Sequence, residues 1–199
     1  MIRPLRLLLA AAVLAAPVAS PAQQMSESYD FLKAVRDEDG TKVTQMLDKP
    51  GASIVNTRDK DSGDTALHIV VKRGDNTYLS FLLSRGANAN AQDARGNTPL
   101  LLAVNGGCGA CIDTLVARKA NLNLANASGE TPLIRAVQLR NLDFARTLLT
   151  AGANPDQADR VAGMTARDYA KVDNRSPAIT KLLNDAPKTA KRAVSGPKL

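Results

Sequence analysis

Tryptophan is absent from this 199-residue chain, and with three Phe and three Tyr the aromatics make up only 3% of it. So little ring surface leaves few platforms on which unpaired bases could stack, which argues against nucleic-acid recognition. Histidine occurs once, at His68, which excludes a metal centre built from several imidazoles and any Ser-His-Asp arrangement with redundancy. The two cysteines allow one bridge at most, a local staple and not a disulfide framework. A membrane-spanning run is also missing, because the longest apolar stretch, residues 7–16, falls far short of the roughly 20 residues a bilayer requires.

That stretch has another reading. Arg3 and Arg6 precede it, and Pro17, Val18, Ala19, Ser20, Pro21 and Ala22 follow. A basic start, a short apolar run and small residues at the two positions a signal peptidase inspects predict a secretory signal peptide over residues 1–22, cleaved after Ala22. No cysteine is there to accept a lipid. The expectation is therefore a soluble protein of the periplasm or the cell exterior, where most nucleic acid is out of reach.

The formal charge of +7 is unevenly placed. Of the 26 Lys and Arg, Arg3 and Arg6 lie in the leader and Lys188, Lys191, Arg192 and Lys198 in the tail. The body keeps 20 against 18 acids, since Asp185 is the one tail acid of 19. Residues 185–199 read as a disordered basic tail, most simply a solvated end.

What the chain does contain is repetition. Gly129-Glu130-Thr131-Pro132-Leu133-Ile134-Arg135-Ala136-Val137 echoes Gly96-Asn97-Thr98-Pro99-Leu100-Leu101-Leu102-Ala103-Val104, 33 residues earlier. The pattern returns upstream at Gly63-Asp64-Thr65-Ala66-Leu67-His68 and, degenerately, downstream at Gly163-Met164-Thr165-Ala166-Arg167-Asp168. A second anchor keeps step at Gly86-Ala87-Asn88, Lys119-Ala120-Asn121 and Gly152-Ala153-Asn154. Self-similarity at this period predicts a stacked array in which each unit packs only on its neighbours, so that function lies on an extended surface.

Each middle unit reads as a helix pair. Thr65, Thr98 and Thr131 stand where a helix N-cap belongs, and Pro99 and Pro132 at the first helical position lose no hydrogen bond. Leu67, Leu100 and Leu133 with small neighbours make a narrow first helix. Leu82-Leu83, Leu115-Val116 and Leu148-Leu149 give the second helix its apolar face, and Gly86 and Gly152 supply the left-handed residue that stops it. Connectors 90–96 and 123–129 suit short hairpins, while 56–63 and 156–163 are one residue longer. At the start, 29–36 and 41–47 predict a first pair with a polar outer face of Lys33, Arg36, Asp37, Lys42 and Gln45, closed by Pro50-Gly51. At the end, Ile179, Leu182 and Leu183 predict a capping unit in which Arg167 and Asp168 replace the usual Leu and His.

Thr65-Ala66-Leu67-His68, Thr98-Pro99-Leu100 and Thr131-Pro132-Leu133, followed by the Gly-Ala-Asn anchors, resemble the ankyrin repeat over residues 26–184. The resemblance implies an all-α repeat solenoid of about five helix-turn-helix units with β-hairpin fingers and degenerate end units. With the leader, it implies a bacterial ankyrin repeat protein bearing a signal peptide. It also implies a non-enzymatic module without cofactor or metal, monomeric, that binds a protein partner through finger tips and inner helices. Family positions place that face on Lys60, Asp61, Asp64, Lys72, Arg73, Arg95, Asn97, Asn105, Glu130, Gln138 and Asp173. Lys72, Arg73 and Arg95 form the expected cationic cluster. His68 falls on the motif's histidine, a structural bridge between repeats. Two departures, Lys119 for Gly and Arg140-Asn141 for a Gly-containing turn, are expected to force left-handed backbone on non-glycine residues at a cost near 1 kcal/mol.

Cys108-Gly109-Ala110-Cys111 begins the second helix of the third unit. Residues three apart share a helix face and lie within disulfide reach. Three readings stay open: a structural disulfide, a pair of reduced packing thiols, and a redox couple. The last makes a thiol-disulfide protein or redox sensor the alternative function, because a helix N-terminus lowers thiol pKa. Asn126-Ala127-Ser128 matches the glycosylation triplet but stands in a turn where Asn and Ser are expected anyway.

Overall fold

A computed structural model describes residues 21–49, 54–173 and 175–187. The leader through residue 20, Pro50-Gly51 and the basic tail from residue 188 lie outside the described residues. Five helix pairs run in order: α1 (Pro21–Arg36) with α2 (Gly40–Leu47), α3 (Ala66–Lys72) with α4 (Asn76–Ser84), α5 (Pro99–Asn105) with α6 (Gly109–Ala117), α7 (Pro132–Gln138) with α8 (Leu142–Thr150), and α9 (Ala166–Val172) with α10 (Pro177–Asp185). A 3-10 turn, Ile54–Asn56, precedes the second pair. Helix α1 begins earlier than residue 29, and α10 extends through Asp185.

The pairs stack in two layers. In one, α1 meets α3, α3 meets α5, α5 meets α7 and α7 meets α9; in the other, α4, α6, α8 and α10 follow in sequence. Short helices of this kind have little stability alone, so the burial of both faces against neighbours is what holds them. Leu79, Leu82, Leu100, Leu115, Leu133 and Leu148 are fully buried along the stack, each contributing about 2 kcal/mol of transfer free energy. The anticipated polar outer face of the first pair is solvent-exposed at all five residues.

Helix starts follow the capping logic. Thr98 Oγ1 accepts from Leu101 N at 3.1 Å and Thr131 Oγ1 from Ile134 N at 3.2 Å. The second helices start at Asp39, Asp75, Cys108 and Asn141, each accepting from the amide three residues on. Lys119 (φ 59°) and Arg140 (φ 55°) adopt the left-handed backbone anticipated for them, and so does Glu38 (φ 60°), which no repeat anchor marks in the sequence.

The fingers differ from the expected hairpins, since the described residues contain no strand. Each finger is closed across its mouth by a main-chain bond, Asp93 N to Asn97 O at 2.9 Å in the second and Asn126 N to Glu130 O at 3.1 Å in the third, with a tighter turn inside it, Gly96 N to Asp93 O at 3.0 Å and Gly129 N to Asn126 O at 2.9 Å. Loops this tight leave no room for the successive bond pairs of a ladder. The end fingers close one residue later, Asp59 N to Asp64 O and Asp159 N to Met164 O, as their extra length requires.

Candidate interaction surface

Neighbouring fingers are joined tip to tip. Ala94 N donates to Ser62 O, Ala127 N to Arg95 O and Arg160 N to Ser128 O, each at 2.9 Å. So close an approach requires glycine beside it: Gly63, Gly96 and Gly129 all have positive φ, and a Cβ on Gly96 would stand 2.8 Å from Ala127 N. At Gly163 no further finger follows and the same space is open.

One carboxylate or amide at a fixed place organises each finger: Asp59, Asp93, Asn126 and Asp159. Asp93 Oδ1 accepts from Arg95 N and Asn97 N at 2.8 Å, and Asp159 Oδ1 from the amides of Val161, Ala162 and Gly163. Tyr169 donates its hydroxyl to Asp159 and, with these amides, holds the carboxyl below its ordinary pKa. Asp59 is lowered too, chiefly by Ser62 N and then by Arg36. Burial opposes ionisation of Asp93, but the side-chain and main-chain donors of Asn97 outweigh it and its pKa also falls. These four residues recur at the repeat period, which is the signal that could have found them. The amide of Asn126, the glycosylation candidate, is half-buried and bonded to Asn97 and Glu130.

A second line of bonds runs behind the fingers. Asn56 Oδ1 accepts from Asn88 N, Asn90 Oδ1 from Asn121 N and Asn123 Oδ1 from Asn154 N, all at 2.7 Å, so an asparagine in each unit holds the next.

His68 is buried within this framework. Its Nδ1 accepts from Thr65 N at 3.1 Å, which places the proton on Nε2, donated to Asn97 O of the next finger at 3.0 Å. Burial is the main reason its pKa lies below the ordinary 6.5, so the neutral ring spans the two repeats as a structural bridge. In the last unit Asp168 takes the same position, its Oδ2 accepting from Thr165 N and Oγ1.

The eleven residues expected on the binding face divide sharply. Lys60, Asp61, Arg95, Asn105 and Gln138 are exposed along the fingers and inner helices. Asp64 is buried and bonded through both oxygens to Lys72. Glu130 pairs with Arg135 at 3.8 Å, and Arg135 also donates to Asn105 Oδ1 at 2.9 Å. Asp173 holds both Arg140 and Arg175. Asn97 is spent inside the fingers, bonding Asp93 and Asn126.

The expected cationic cluster does not persist as such. Arg73 donates to Val35 O at 2.9 Å and to Asp75 at 3.0 Å, and its guanidinium carbon lies 5.4 Å from the centre of the Tyr78 ring. It is a clamp between the first two units and not a free charge. Lys72 is neutralised by Asp64, which leaves Arg95 as the member with no ionic partner among the described residues.

Cys108 and Cys111 are joined in a disulfide, with Cα atoms 5.2 Å apart. Cys111 is fully buried, and Cys108 caps α6 where the first, second and fourth units use Asp or Asn. A bridged sulfur carries no proton, so the 3.8 Å approach of Cys108 Sγ to Gly74 O is a packing contact and not a hydrogen bond. Among the described residues, no cluster of three or more His, Cys, Asp or Glu could hold a metal, and no helix is long and apolar enough to cross a membrane.

No curated protein matches the chain. A sequence model of ankyrin repeats in three copies matches residues 31–126 and 71–159, well over half of the length. With ten helices stacked in pairs among the described residues, and with this sequence match over more than half of its length, the chain belongs to the ankyrin repeat proteins.

Proposed function

We propose that this chain is a non-enzymatic interaction module, exported to the periplasm or the cell exterior, that holds a protein partner as a monomer between its fingers and inner helices. The observation that carries this is the one-sided surface. Tip-to-tip bonding aligns the fingers of successive units, so exposed side chains from different repeats, such as Arg95, Asn105 and Gln138, share one side. An extended array can offer many weak contacts at once, which is what a protein partner needs. Export is supported by the character of residues 1–22 and by the Cys108–Cys111 bridge, which persists in oxidising compartments.

The test is site-specific photocrosslinking in the native cell. A photoreactive residue at Gln138, on the proposed face, is expected to capture one protein. The same residue at Arg118, which caps the end of outer helix α6, is expected to capture none. Equal capture from both positions, or from Arg118 alone, overturns the assignment. N-terminal sequencing of the secreted protein checks export, the expected first residue being Gln23.

A further inference from the structure

Around fingers two to four the charged side chains left exposed to solvent have one sign, while Asp61, an exposed acid, lies on the first finger. The acids there turn their oxygens inward: Asp93 is held by Asn97 and Asp159 by Tyr169, both neutral donors, Glu130 pairs with Arg135, Asp156 with Arg167 and Asp173 with two arginines. Arg95 and Arg160 are exposed, and neither guanidinium has an ionic partner among the described residues.

Their placement is set by the finger bonds. Ala127 N is bonded to Arg95 O, and Arg160 N to Ser128 O, so the two arginines flank the third finger, whose tip is only Ala127 and Ser128. The Arg160 side chain lies over Gly129, in space a Cβ would occupy. Small side chains between two long cations leave a notch with a positive wall on either side. Below it, a groove between the second and third fingers and helices α5 and α7 is lined by Arg95, Leu101, Leu102, Asn105, Glu130 and Arg135. Leu102 is half-buried there and offers apolar surface.

We infer that this notch and groove take an acidic segment of a partner protein, with carboxylates against Arg95 and Arg160 and an apolar side chain over Leu102. The inference rests on the protein-binding reading above and adds the chemistry of the partner. Charge complementarity favours an acidic occupant, since like charges opposed across an interface are costly. The apolar floor favours a polypeptide over a uniformly charged polyanion, which has nothing to place on leucine.

The experiment uses the secreted protein and an array of random 12-residue peptides, with dextran sulfate as a polyanion arm. Binders to the wild type are expected to be enriched in Asp and Glu together with Leu, Ile, Val or Phe. In R95E/R160E that enrichment should vanish, and individual binders should weaken about tenfold or more. K42E/R118E, with the same change of charge on surfaces away from the groove, should leave them within about twofold. Both variants should keep the wild-type melting temperature, because none of the four side chains has an ionic partner among the described residues. No enrichment in acids, equal weakening in the two variants, or binding of dextran sulfate without any acidic-apolar peptide each overturns the inference. If crosslinking from Gln138 to the native partner survives R95E/R160E, this proposal fails while the broader reading stands.

Discussion

The middle units and the final unit are built to one plan, yet they solve the same positions with different chemistry. In the second unit the N3 position of the inner helix is His68, which reaches forward to the next finger. In the fifth it is Asp168, which stays within its own helix, accepting from Thr165 and pairing with Lys171. Gly96 is wedged against the following finger, whereas Gly163 faces open space. Leu67, Leu100 and Leu133 fill the core at a place where the last unit puts Arg167. That guanidinium is buried, pairs with Asp156 at 2.7 Å and donates to the carbonyls of Leu183, Ala186 and Pro187. A middle unit is shaped by what comes after it. The end unit, with no successor, turns its polar groups back on its own chain and so closes the apolar stack.

The sharpest way to test this contrast is in the outer layer. Leu148, packed between α6 and α10, should lose about 2 to 5 kcal/mol on replacement by Ala, read as a lower urea midpoint for the whole protein. Leu183→Ala should instead expose the amides of α9 and α10 to hydrogen exchange before the rest, because the last unit can open while the others stay folded.

Next is the finger glycine. Gly96→Ala meets both a left-handed backbone and the Ala127 amide, and about 3 kcal/mol is expected from strain and overpacking together. Gly163→Ala meets the backbone alone and should cost about 1 kcal/mol. Equal losses in urea denaturation would mean that tip-to-tip contact contributes nothing.

The disulfide should matter less. For so short a loop, reduction with dithiothreitol should cost about 2 kcal/mol in chemical denaturation. As a staple it should show no insulin-reducing turnover, the measurement that separates it from a redox couple. Lys119→Gly comes below that, with a gain of about 1 kcal/mol in thermal melts, because Gly86 and Gly152 already occupy the same place in neighbouring units. Arg140→Gly should gain less, since it also gives up Asp173.

Smallest is a difference in acid response. The neutral His68 of the folded state has a lowered pKa, so protonation favours the unfolded chain and stability should decline as the pH falls below about 6.5. Asp168, lowered chiefly by Thr165, keeps its contribution above the ordinary carboxylate pKa of 3.8 and loses it only as the pH falls further, through its folded value. His68→Leu, which copies Leu101 of the third unit, should flatten the decline that begins below about pH 6.5, whereas Asp168→Leu should flatten the one that begins below about pH 3.8.

Most of the architecture is legible in the amino-acid sequence. The Thr-Pro-Leu and Gly-Ala-Asn words mark register, caps and helix ends, and even the left-handed Lys119 and Arg140 follow from position alone. The finger organisers are legible in principle, since Asp59, Asp93, Asn126 and Asp159 keep the period, but turn residues attract little notice beside apolar motifs. Charge is the part that cannot be read this way. Arg73 reaches a carbonyl 38 residues away in the preceding unit, and Lys72 folds back on Asp64 of its own, pairings set by where long side chains settle and not by where residues fall in the repeat. Of the three cations expected to act together on the candidate surface, packing therefore engages two.

The asparagine line behind the fingers gives the stack a mechanical grain. Each rung ties a side-chain oxygen of one unit to a backbone amide of the next. Tension applied end to end is carried through these rungs in series, so the molecule should yield one interface at a time and recoil when released. A load applied across the fingers falls mainly on the units it touches. A tether fixed at the two ends and a partner seated on the groove would therefore pull on different bonds of the same protein.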